Sequence, residues 1–340
     1  MTVLLEKRRL IVSPGLVPAQ QRREDKFGHP KDVDVDLTIG LINNMPDAAL
    51  QATERQFMRL LRQAAGGIRI DFHCFSLPSV SRSQPVKSRI ETHYSDIADL
   101  DRLPIDGLII TGAEPNAAEL SSETFWGDLA EIVEWAKDNT RSTIWSCLAA
   151  HAAVLYMDGV ERKRLETKCS GVYDCINVSS HWLMNGLPSP FKIAHSRLNE
   201  LRADELTGNG YQLLSHSTRG GVDCFAKDAG SQFIFFQGHP EYEALSLERE
   251  YLRDISRFLT GERDRYPGIP VGYFDAETEQ RLAAFAVRAQ TERRPALATE
   301  LPERNLRQDI ATGAAATVMF RNWLDFLSEH APAPSPETSI

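Results

Sequence analysis

The chain contains few cysteines, no long apolar stretch and no excess of basic residues, and each of these absences excludes a class of protein. Five cysteines in 340 residues are an odd and sparse set, which argues against a disulfide scaffold and favours a reducing compartment, the cytoplasm. No run of about 18 apolar residues is present, so a transmembrane helix is excluded. The first residues lack the apolar segment and cleavage site of a secretory signal, so secretion is not expected.

The charge balance limits the partners that the chain is expected to bind. Lys and Arg number 38 against 47 Asp and Glu, which gives a net charge of −9. An acidic chain without a basic block binds nucleic acid and anionic membranes poorly, so neither is expected as a partner. The sequence also lacks the fingerprints GxxxxGK[ST] and GxGxxG, which argues against a nucleotide phosphate site of those kinds. Small molecules are the expected ligands, and a homodimer is left open as the assembly.

Strand and helix patterns alternate over residues 33–158, which predicts an α/β fold. The predicted strands are Val33–Ile42, Ile68–Phe75, Ile105–Thr111 and Ser142–Ser146, of which the second alternates apolar and polar residues and the third is a short apolar run. The predicted helices, each with apolar residues at helical spacing, are Ala49–Gln63, Phe125–Lys137 and Leu148–Met157. Because such apolar strands are typical of buried parallel sheets, we predict a flavodoxin-like, doubly wound, mostly parallel sheet. Its active site should lie at the carboxyl ends of the strands.

The second half of the chain is less regular. Short β-like pieces between residues 165 and 235 predict hairpins or added strands, and helices are predicted over Glu243–Leu259 and Ala314–Leu327. Between these helices, residues 288–308 are rich in Arg, Glu and Pro and predict an irregular segment. The predicted organisation is a flexible arm over residues 1–32, a single domain over 33–328 with a C-terminal extension, and a disordered tail over 329–340.

One segment, Thr143–His151, joins an apolar strand directly to a helix of small residues, with Cys147 at the joint. Such a turn would expose the cysteine at the carboxyl edge of the sheet, as in a nucleophile elbow. The start of the helix favours the thiolate form, and the backbone N–H of Leu148 and the Gly112 loop are candidate oxyanion-hole donors. The glycines usual in such elbows are missing, so a buried structural cysteine is the alternative interpretation.

A candidate base and its partner follow a later strand. His239 and Glu241 come directly after an apolar run that ends at Phe236, and Pro240 fixes the backbone between them. A thiolate nucleophile needs a base, and the base needs an orienting group. Alone, the two residues are equally well explained as caps of the next helix. Together with Cys147, they give the layout of a Cys-His-Glu triad on a doubly wound sheet.

Several short segments, in a fixed order, carry a resemblance to a known family. They are Ile42–Pro46 (INNMP), Leu108–Ala113 (LIITGA), Glu134–Asp138 (EWAKD), Lys168–Tyr173 (KCSGVY), His195–Arg197 (HSR), Gly238–Tyr242 (GHPEY) and Phe320–Leu324 (FRNWL). From Leu37 to Leu327 the chain resembles the homoserine O-acyltransferases of methionine biosynthesis, which share the class I glutamine amidotransferase fold. The resemblance implies ping-pong transfer of an acyl group from acyl-CoA to the hydroxyl of L-homoserine. Acyl-CoA is then a co-substrate, and no bound cofactor or metal is implied.

The resemblance also implies a role for each matching residue. The acyl-thioester nucleophile, the general base and its orienting residue match Cys147, His239 and Glu241. The contacts to the amino-acid substrate match Lys168, Ser196 and Arg253. A guanidinium suits this role because it can hold a carboxylate through two hydrogen bonds. Without the resemblance, Lys168 and Arg253 are interpreted as solvated surface charges and Ser196 as a turn residue.

Donor choice depends in this family on one position, which Asn116 occupies here. A Glu at this position fills the pocket and repels a second carboxylate, whereas a Gly leaves room for it. Asn is uncharged and intermediate in size, so we favour the succinyl donor and keep acetyl-CoA as the alternative. Two other functions stay open: an amidotransferase-type hydrolase, which gives its acyl group to water, and a binding protein that has kept the fold.

Two further groups of residues are interpreted as structural. The spacing of Cys169, Cys175 and His181 matches no standard zinc site, so a metal is not expected there. His151 lies one helical turn after Cys147 and could in principle act as the base. We interpret it instead as a histidine that packs the helix against its neighbours.

Overall fold

Apolar runs and helical patterns give this chain an α/β fold, which a computed structural model describes for residues 10–12, 35–309 and 313–330. The described residues form two compact units. The first unit includes the described residues within 1–144, 228–233 and 320–340, and the second includes those within 145–227 and 234–319.

Strands and helices alternate in the first half of the described chain, and strands predominate after it. The strands are β1 (Leu10–Val12), β2 (Leu37–Ile42), β3 (Ile70–Phe75), β4 (Gly107–Thr111), β5 (Ser142–Ser146), β6 (Lys163–Asn177), β7 (Phe191–Glu200), β8 (Gln212–Ser217), β9 (Gly221–Asp228) and β10 (Gln232–Phe236). The α-helices are α1 (Asp47–Ala64), α2 (Gln84–His93), α3 (Trp126–Asn139), α4 (Leu148–Asp158), α5 (Ala203–Gly208), α6 (Ser246–Leu259), α7 (Ala276–Glu292) and α8 (Gly313–Glu329).

The first unit is built on parallel strands. Its strand order is β1-β3-β2-β4-β5, in which β2 pairs in parallel with both β3 and β4, and β1 pairs antiparallel with β3. Every residue of β2 and β4 is buried, which explains why these strands are nearly continuous apolar runs. The amphipathic helix α1 adds Phe57, Leu60 and Leu61 to the core of this unit.

The strands of the second unit follow the order β10-β9-β8-β6-β7. β6 pairs antiparallel with β7 and β8, and β8 pairs antiparallel with β9. Aromatic residues fill its core: the rings of Phe225 and Phe235 stack with their centroids 4.8 Å apart. A further buried cluster contains Tyr251 and Phe274 and packs around α6 and α7. The second unit therefore has a rigid interior against which polar side chains can be fixed.

The predicted α/β class is confirmed, with a sheet that is mixed and partly parallel where a mostly parallel one was predicted. The strands β6 to β9, in the region where hairpins or added strands were predicted, pair antiparallel. The strand predicted over Ser142–Ser146 has those bounds in the structure. The irregular segment predicted over residues 288–308 is wrong at its start, because α7 continues to Glu292. Helix α2 was not predicted, since it buries no residue and so has no apolar stripe.

The ends of the chain fall largely outside the described residues. Of the arm predicted over residues 1–32, the structure describes only Leu10–Val12, which forms β1. The tail predicted over 329–340 lies outside the described residues from position 331. The bounds of the arm, the single domain over 33–328 and the tail stay predictions. Among the residues described, no helix combines the length and the apolar character needed to cross a bilayer.

Candidate active site

Cys147 occupies the turn between β5 and α4. Its φ of 52° and ψ of −109° lie in a region of backbone space that residues with a side chain rarely adopt. Its N–H donates a hydrogen bond of 2.8 Å to the carbonyl oxygen of Phe236, the last residue of β10. The cysteine is partly exposed. The structure thus contains the strand-turn-helix predicted from the sequence, with the backbone strain that such a turn needs.

Leu148 is the first residue of α4, and its N–H therefore belongs to the groups that a helix leaves without an intrahelical partner. Because this N–H adjoins Cys147 in the chain, it suits the oxyanion-hole role proposed for it. Asn116 lies in the first unit, where it is exposed and its N–H donates a 2.7 Å hydrogen bond to Oε1 of Glu123. Gly112 also belongs to the first unit.

His239 and Glu241 form a buried pair after the end of β10. Nδ1 of His239 lies 2.8 Å from Oε1 of Glu241, and only 6% and 4% of the two residues are exposed. The ring of His239 stacks on that of Tyr242, with their centroids 4.2 Å apart. The N–H of His239 donates a 2.8 Å hydrogen bond to the carbonyl oxygen of Ala194 on β7. Carboxylate, stacked ring and backbone contact together fix the orientation of the imidazole.

The same imidazole interacts with Cys147, so the structure brings the three residues of the predicted triad together. Burial of the ring lowers the pKa of His239, but the charge of Glu241 and the charge and hydrogen bond of Cys147 raise it more. The net pKa lies well above the ordinary value of 6.5. A protonated imidazole thus lies beside the sulfur of Cys147, where it can exchange a proton with a bound reactant.

His151 is a buried histidine that faces the amide of Gln237. It is 3% exposed, and its Nε2 lies 3.1 Å from Oε1 of the buried Gln237. Burial, reinforced by the charges of Arg197 and Arg162, lowers the pKa of His151 to about 3. The ring is therefore neutral and hydrogen-bonded inside the protein, as expected for a histidine that packs a helix.

Lys168 and Ser196 come together at a carboxylate that the sequence analysis did not identify. Cys169 and Ser170 of β6 pair with Arg197 and Ser196 of β7, and the register shifts between Arg164 and Cys169, in the stretch that contains Lys168. Nζ of Lys168 lies 3.7 Å from Oε2 of Glu250 on α6, and the hydroxyl of Ser196 donates a hydrogen bond to the same oxygen. Both residues therefore approach one edge of α6.

Glu250 and Asp254 line the face of α6 that meets Lys168. The hydroxyl of Tyr242 donates a 2.8 Å hydrogen bond to Oε1 of Glu250, and Nζ of Lys168 lies 3.1 Å from Oδ2 of Asp254. Burial raises the pKa of Glu250, but Lys168 and the hydroxyls of Ser196 and Tyr242 outweigh it and lower the pKa overall. Glu250 is thus held as a carboxylate, next to the ring that supports His239.

Arg253 lies further from the carboxylate of Asp254 than Lys168 does. Its side chain is 44% exposed, and its Nη2 lies 3.4 Å from Oδ1 of Asp254. Arg263 makes a closer contact, with its Nη1 2.9 Å from Oδ2 of the same carboxylate. Asp254 is therefore surrounded by three cations, and Arg253 is the one with most freedom to reach a ligand.

One cluster in the second unit has side chains of metal-ligating type. The ligand atoms of Cys175, His195 and Asp223 all lie within 4.8 Å of one another, and all three residues are buried. Cys175 belonged to the group for which the spacing predicted no metal, but His195 and Asp223 come from other strands. Sequence spacing could not reveal this trio because strand pairing brings it together.

The residues missed by sequence reasoning had weak signals. Glu250 precedes Arg253 by three positions and Asp254 by four, so all three lie along one side of α6. Tyr242 follows His239 by three positions inside the GHPEY segment. Helical spacing could have pointed to Glu250, whereas the contact between Tyr242 and Glu250 depends on how α6 packs.

Comparison with known proteins gives a consistent result. The family model described as Homoserine O-succinyltransferase matches residues 25–333. A homoserine O-succinyltransferase of Bradyrhizobium japonicum is 53% identical over 330 residues, which cover 97% of this chain and 100% of that protein. A protein of the same name from Rhodopseudomonas palustris is 54% identical over 326 residues, which cover 95% of this chain and 98% of that protein.

Solved structures agree on the fold. A glutamine amidotransferase from Thermotoga maritima matches with a TM-score of 0.50 at 11% identity, and the match covers 87% of this chain and 100% of that one. A glutamine amidotransferase from Methylobacillus flagellatus matches with a TM-score of 0.50 at 12% identity, over 90% of this chain and 100% of that one. At these identities the likeness concerns the fold alone, and it agrees with the α/β fold predicted from the sequence.

The raised pKa of His239 predicts a pH-dependent contribution of Glu241 to stability. Because the pKa is higher in the folded state, the pair stabilises the fold fully below the ordinary value of 6.5, and this contribution is lost as the pH rises through the folded-state value. In a Cys147→Ala background, Glu241→Gln should move the titration of the His239 ring to lower pH. It should also lower the free energy of unfolding more at about pH 6 than at about pH 10.

Nitrogen chemical shifts of the histidine rings and denaturant unfolding at the two pH values measure both effects. His151 serves as the internal control, since a pKa of about 3 leaves its ring neutral throughout this range in both proteins. An unfolding free energy that differs between the two proteins by the same amount at both pH values would refute the prediction.

Proposed function

This chain belongs to the homoserine O-succinyltransferase family, and we propose that it transfers a succinyl group from succinyl-CoA to the hydroxyl of L-homoserine through Cys147. Donor, acceptor and product, O-succinyl-L-homoserine, follow from the family. The residue roles are our proposal. The observation that carries it is Cys147 in a strained strand-to-helix turn, next to an imidazole that Glu241 holds at 2.8 Å.

The first half-reaction forms a thioester on the enzyme. The Cys147 thiolate attacks the carbonyl carbon of succinyl-CoA, and the N–H of Leu148 donates a hydrogen bond to the oxygen that becomes negative. The bond between the carbonyl carbon and the CoA sulfur then breaks. His239, which is protonated in the resting enzyme, gives its proton to the leaving CoA thiolate. His239 is left neutral, as the next step requires.

The second half-reaction passes the acyl group to the acceptor. Neutral His239 takes the proton from the homoserine hydroxyl while the oxygen attacks the thioester carbon. The carbon–sulfur bond breaks, and Cys147 leaves as a thiolate beside the protonated imidazole. The starting state is thereby restored. Glu241 keeps Nδ1 occupied through its 2.8 Å contact, so Nε2 is the nitrogen that exchanges protons.

The group of charges around α6 suits an amino-acid acceptor. A zwitterionic amino acid carries one carboxylate and one ammonium group, and this part of the second unit offers both complements. Lys168 and the half-exposed Arg253 can bind the carboxylate, and Glu250 can bind the ammonium group. Ser196, whose hydroxyl already reaches Glu250, can bind either group. We therefore propose that Glu250 joins Lys168, Ser196 and Arg253 in holding homoserine.

Donor choice remains assigned to Asn116 through the family resemblance. An uncharged Asn does not repel the free carboxylate of a succinyl group, whereas a Glu at the same position would. Reaction in the cytoplasm is part of the proposal, and a homodimer stays a prediction.

Intact mass should reveal the acyl-enzyme directly. Mixing the protein with succinyl-CoA is expected to add the mass of one succinyl group, because the thiolate attacks faster than water removes the product. Addition of L-homoserine should remove this mass and yield O-succinyl-L-homoserine. Cys147→Ala should give no adduct. Cys169→Ala, which removes another partly exposed cysteine, should behave like the wild type.

Two outcomes would contradict this proposal. An adduct that forms equally in Cys147→Ala places the nucleophile elsewhere. An adduct that decays at the same rate with and without homoserine, while glutamine releases ammonia, identifies a hydrolase of the amidotransferase type instead.

The acceptor site should affect only the second half-reaction. Lys168→Ala and Glu250→Gln each remove one charged partner of the amino acid. We therefore expect each to raise the KM for homoserine by about tenfold or more. Adduct formation with succinyl-CoA should stay within about twofold of the wild type. Lys192→Ala is the matched control, since Lys192 also pairs with a carboxylate of the second unit, the exposed Asp174 at 3.0 Å.

Steady-state kinetics with varied homoserine, together with the rate of adduct formation, separate the two half-reactions. A KM for homoserine that stays at the wild-type value in both variants would remove these residues from the acceptor site. The Lys192→Ala control should keep the wild-type KM in any case, because it lies outside the proposed site.

Replacing Asn116 by Glu should change the preferred donor. The new carboxylate is expected to lower the rate with succinyl-CoA relative to acetyl-CoA by about tenfold or more, since like charges at close range cost over 1 kcal/mol. Competition between the two donors for adduct formation, read by mass, gives the ratio in one experiment. Asn116→Gln, which adds bulk without charge, is the control and should change the ratio less. If the ratio of succinyl to acetyl adduct is unchanged in Asn116→Glu, this position does not determine the choice of donor.

A further inference from the structure

A histidine and an aspartate with no access to solvent lie next to the turn that carries His239. His195 on β7 and Asp223 on β9 are both 0% exposed, and Nε2 of His195 lies 3.3 Å from Oδ1 of Asp223. Among the residues that the structure describes, neither atom makes a hydrogen bond, so this approach is the polar contact that the two atoms have. Each atom therefore depends on the other, because a buried polar atom without a partner is costly.

The surroundings fix how the pair is protonated. Nε of Arg197 lies 3.5 Å from Nδ1 of His195, and a guanidinium can only donate, so Nδ1 is the accepting nitrogen. Burial lowers the pKa of His195 despite the opposing effect of Asp223, so the ring is neutral and its proton is on Nε2, facing the carboxylate. The second oxygen of Asp223, Oδ2, accepts a 2.7 Å hydrogen bond from the hydroxyl of Ser215. Both side chains are thus held from two sides.

The backbone that leads to His239 lies directly against this pair. A Cβ atom built on Gly238 would lie 2.4 Å from Oδ1 of Asp223 and 3.0 Å from Nε2 of His195. Contacts this close show that the backbone of Gly238 touches both side chains. A side chain here would collide with Oδ1 of Asp223, and also with Cγ2 of Ile193 at 2.7 Å, so close approach of these groups requires glycine.

Backbone hydrogen bonds tie the same turn to the strands that carry the pair. The N–H of Gln237 donates a 2.7 Å hydrogen bond to the carbonyl oxygen of Asp223. The N–H of His239 donates a 2.8 Å hydrogen bond to the carbonyl oxygen of Ala194, the neighbour of His195. The residues before and after Gly238 are therefore bound to the two strands from which the pair projects.

We propose that the His195–Asp223 pair is a positioning device for the catalytic base, which supports the peptide at Gly238 and so sets where His239 stands relative to Cys147. The inference rests on the proposed roles of Cys147 and His239. Neither member of the pair touches the reacting atoms. Its contribution comes through geometry, and displacement of a catalytic group by about 1 Å can cost about a hundredfold in rate.

A metal ion held by Cys175, His195 and Asp223 is the competing explanation of this cluster, and two features oppose it. Burial, with the charge of Asp223, raises the pKa of Cys175, so the thiol stays protonated and a poor ligand. The guanidinium of Arg197 next to the His195 ring adds positive charge where a cation would have to bind. The close contact between the two side chains, with Ser215 on the far side of Asp223 and Arg197 on the far side of His195, holds the pair without an ion.

Asp223→Asn tests the inference with little change in volume, since it replaces the carboxylate by an amide that cannot accept as strongly from His195. The rate of adduct formation with succinyl-CoA should fall by about tenfold or more, with the KM for homoserine within about twofold of the wild type. The pH dependence of Cys147 alkylation by iodoacetamide should move to higher pH, because a displaced His239 stabilises the thiolate less.

A second pair of variants distinguishes a positioning effect from a general loss of folding. His195→Gln keeps an N–H near the position of Nε2, whereas His195→Leu leaves Asp223 without a partner, so Gln should retain more of the acylation rate than Leu. Asp158→Asn is the control for stability. It removes another carboxylate of the second unit, bound by Lys227 at 2.7 Å, and should lower the melting temperature without moving the alkylation profile.

The outcomes separate this inference from the proposed function. A folded Asp223→Asn protein with the wild-type acylation rate and alkylation profile overturns it, and so does stoichiometric metal in the wild type that is lost in this variant. An adduct that survives Cys147→Ala removes the proposed function instead. Because alkylation needs no acyl donor, the alkylation profile of Asp223→Asn still decides the positioning inference in that case.

Discussion

The arrangement of the candidate site depends on one backbone hydrogen bond, from the N–H of Cys147 to the carbonyl oxygen of Phe236. It joins the residue that follows β5 to the residue that ends β10, and His239 lies three positions further on. Cys147 makes this bond with a φ of 52°, a conformation that costs about 1–3 kcal/mol. Such a strained turn persists only where the surrounding structure holds it in place. The stacked rings of Phe225 and Phe235 belong to the rigid interior of the second unit, which provides this support.

A buried histidine can act as described only if nearby charges keep its ring protonated, and the charges around His239 do so. An imidazole with 6% exposure would be neutral if burial alone acted on it. Glu241, together with Cys147, reverses that effect on His239. His151 faces the amide of Gln237 instead, and the pKa values of these two buried histidines move in opposite directions. The same residue type thus becomes a base in one place and a packing group in the other, according to whether a carboxylate lies beside it.

The sequence alone predicts those features of the fold and of the site that lie within one continuous stretch of the chain. The turn at Cys147, the His-Pro-Glu segment and the apolar strands are continuous stretches whose pattern carries the information. Glu250, Tyr242, His195 and Asp223 escaped it for a physical reason: their contacts arise where β7, β9 and α6 pack, and packing is not encoded in any short window. Helix α2 escaped for another reason, since a helix that buries no residue leaves no periodic signal.

Tyr242 connects the two halves of the proposed chemistry. Its ring stacks on His239 at 4.2 Å, and its hydroxyl donates to Glu250 at 2.8 Å, so the base and the carboxylate assigned to the acceptor share one side chain. Glu250 is an anion near His239 and therefore helps to keep the imidazole protonated, as the first half-reaction requires. An ammonium group bound at Glu250 would neutralise that anion and weaken its effect on the ring. Arrival of the acceptor would then favour the neutral imidazole at the step in which His239 must take a proton.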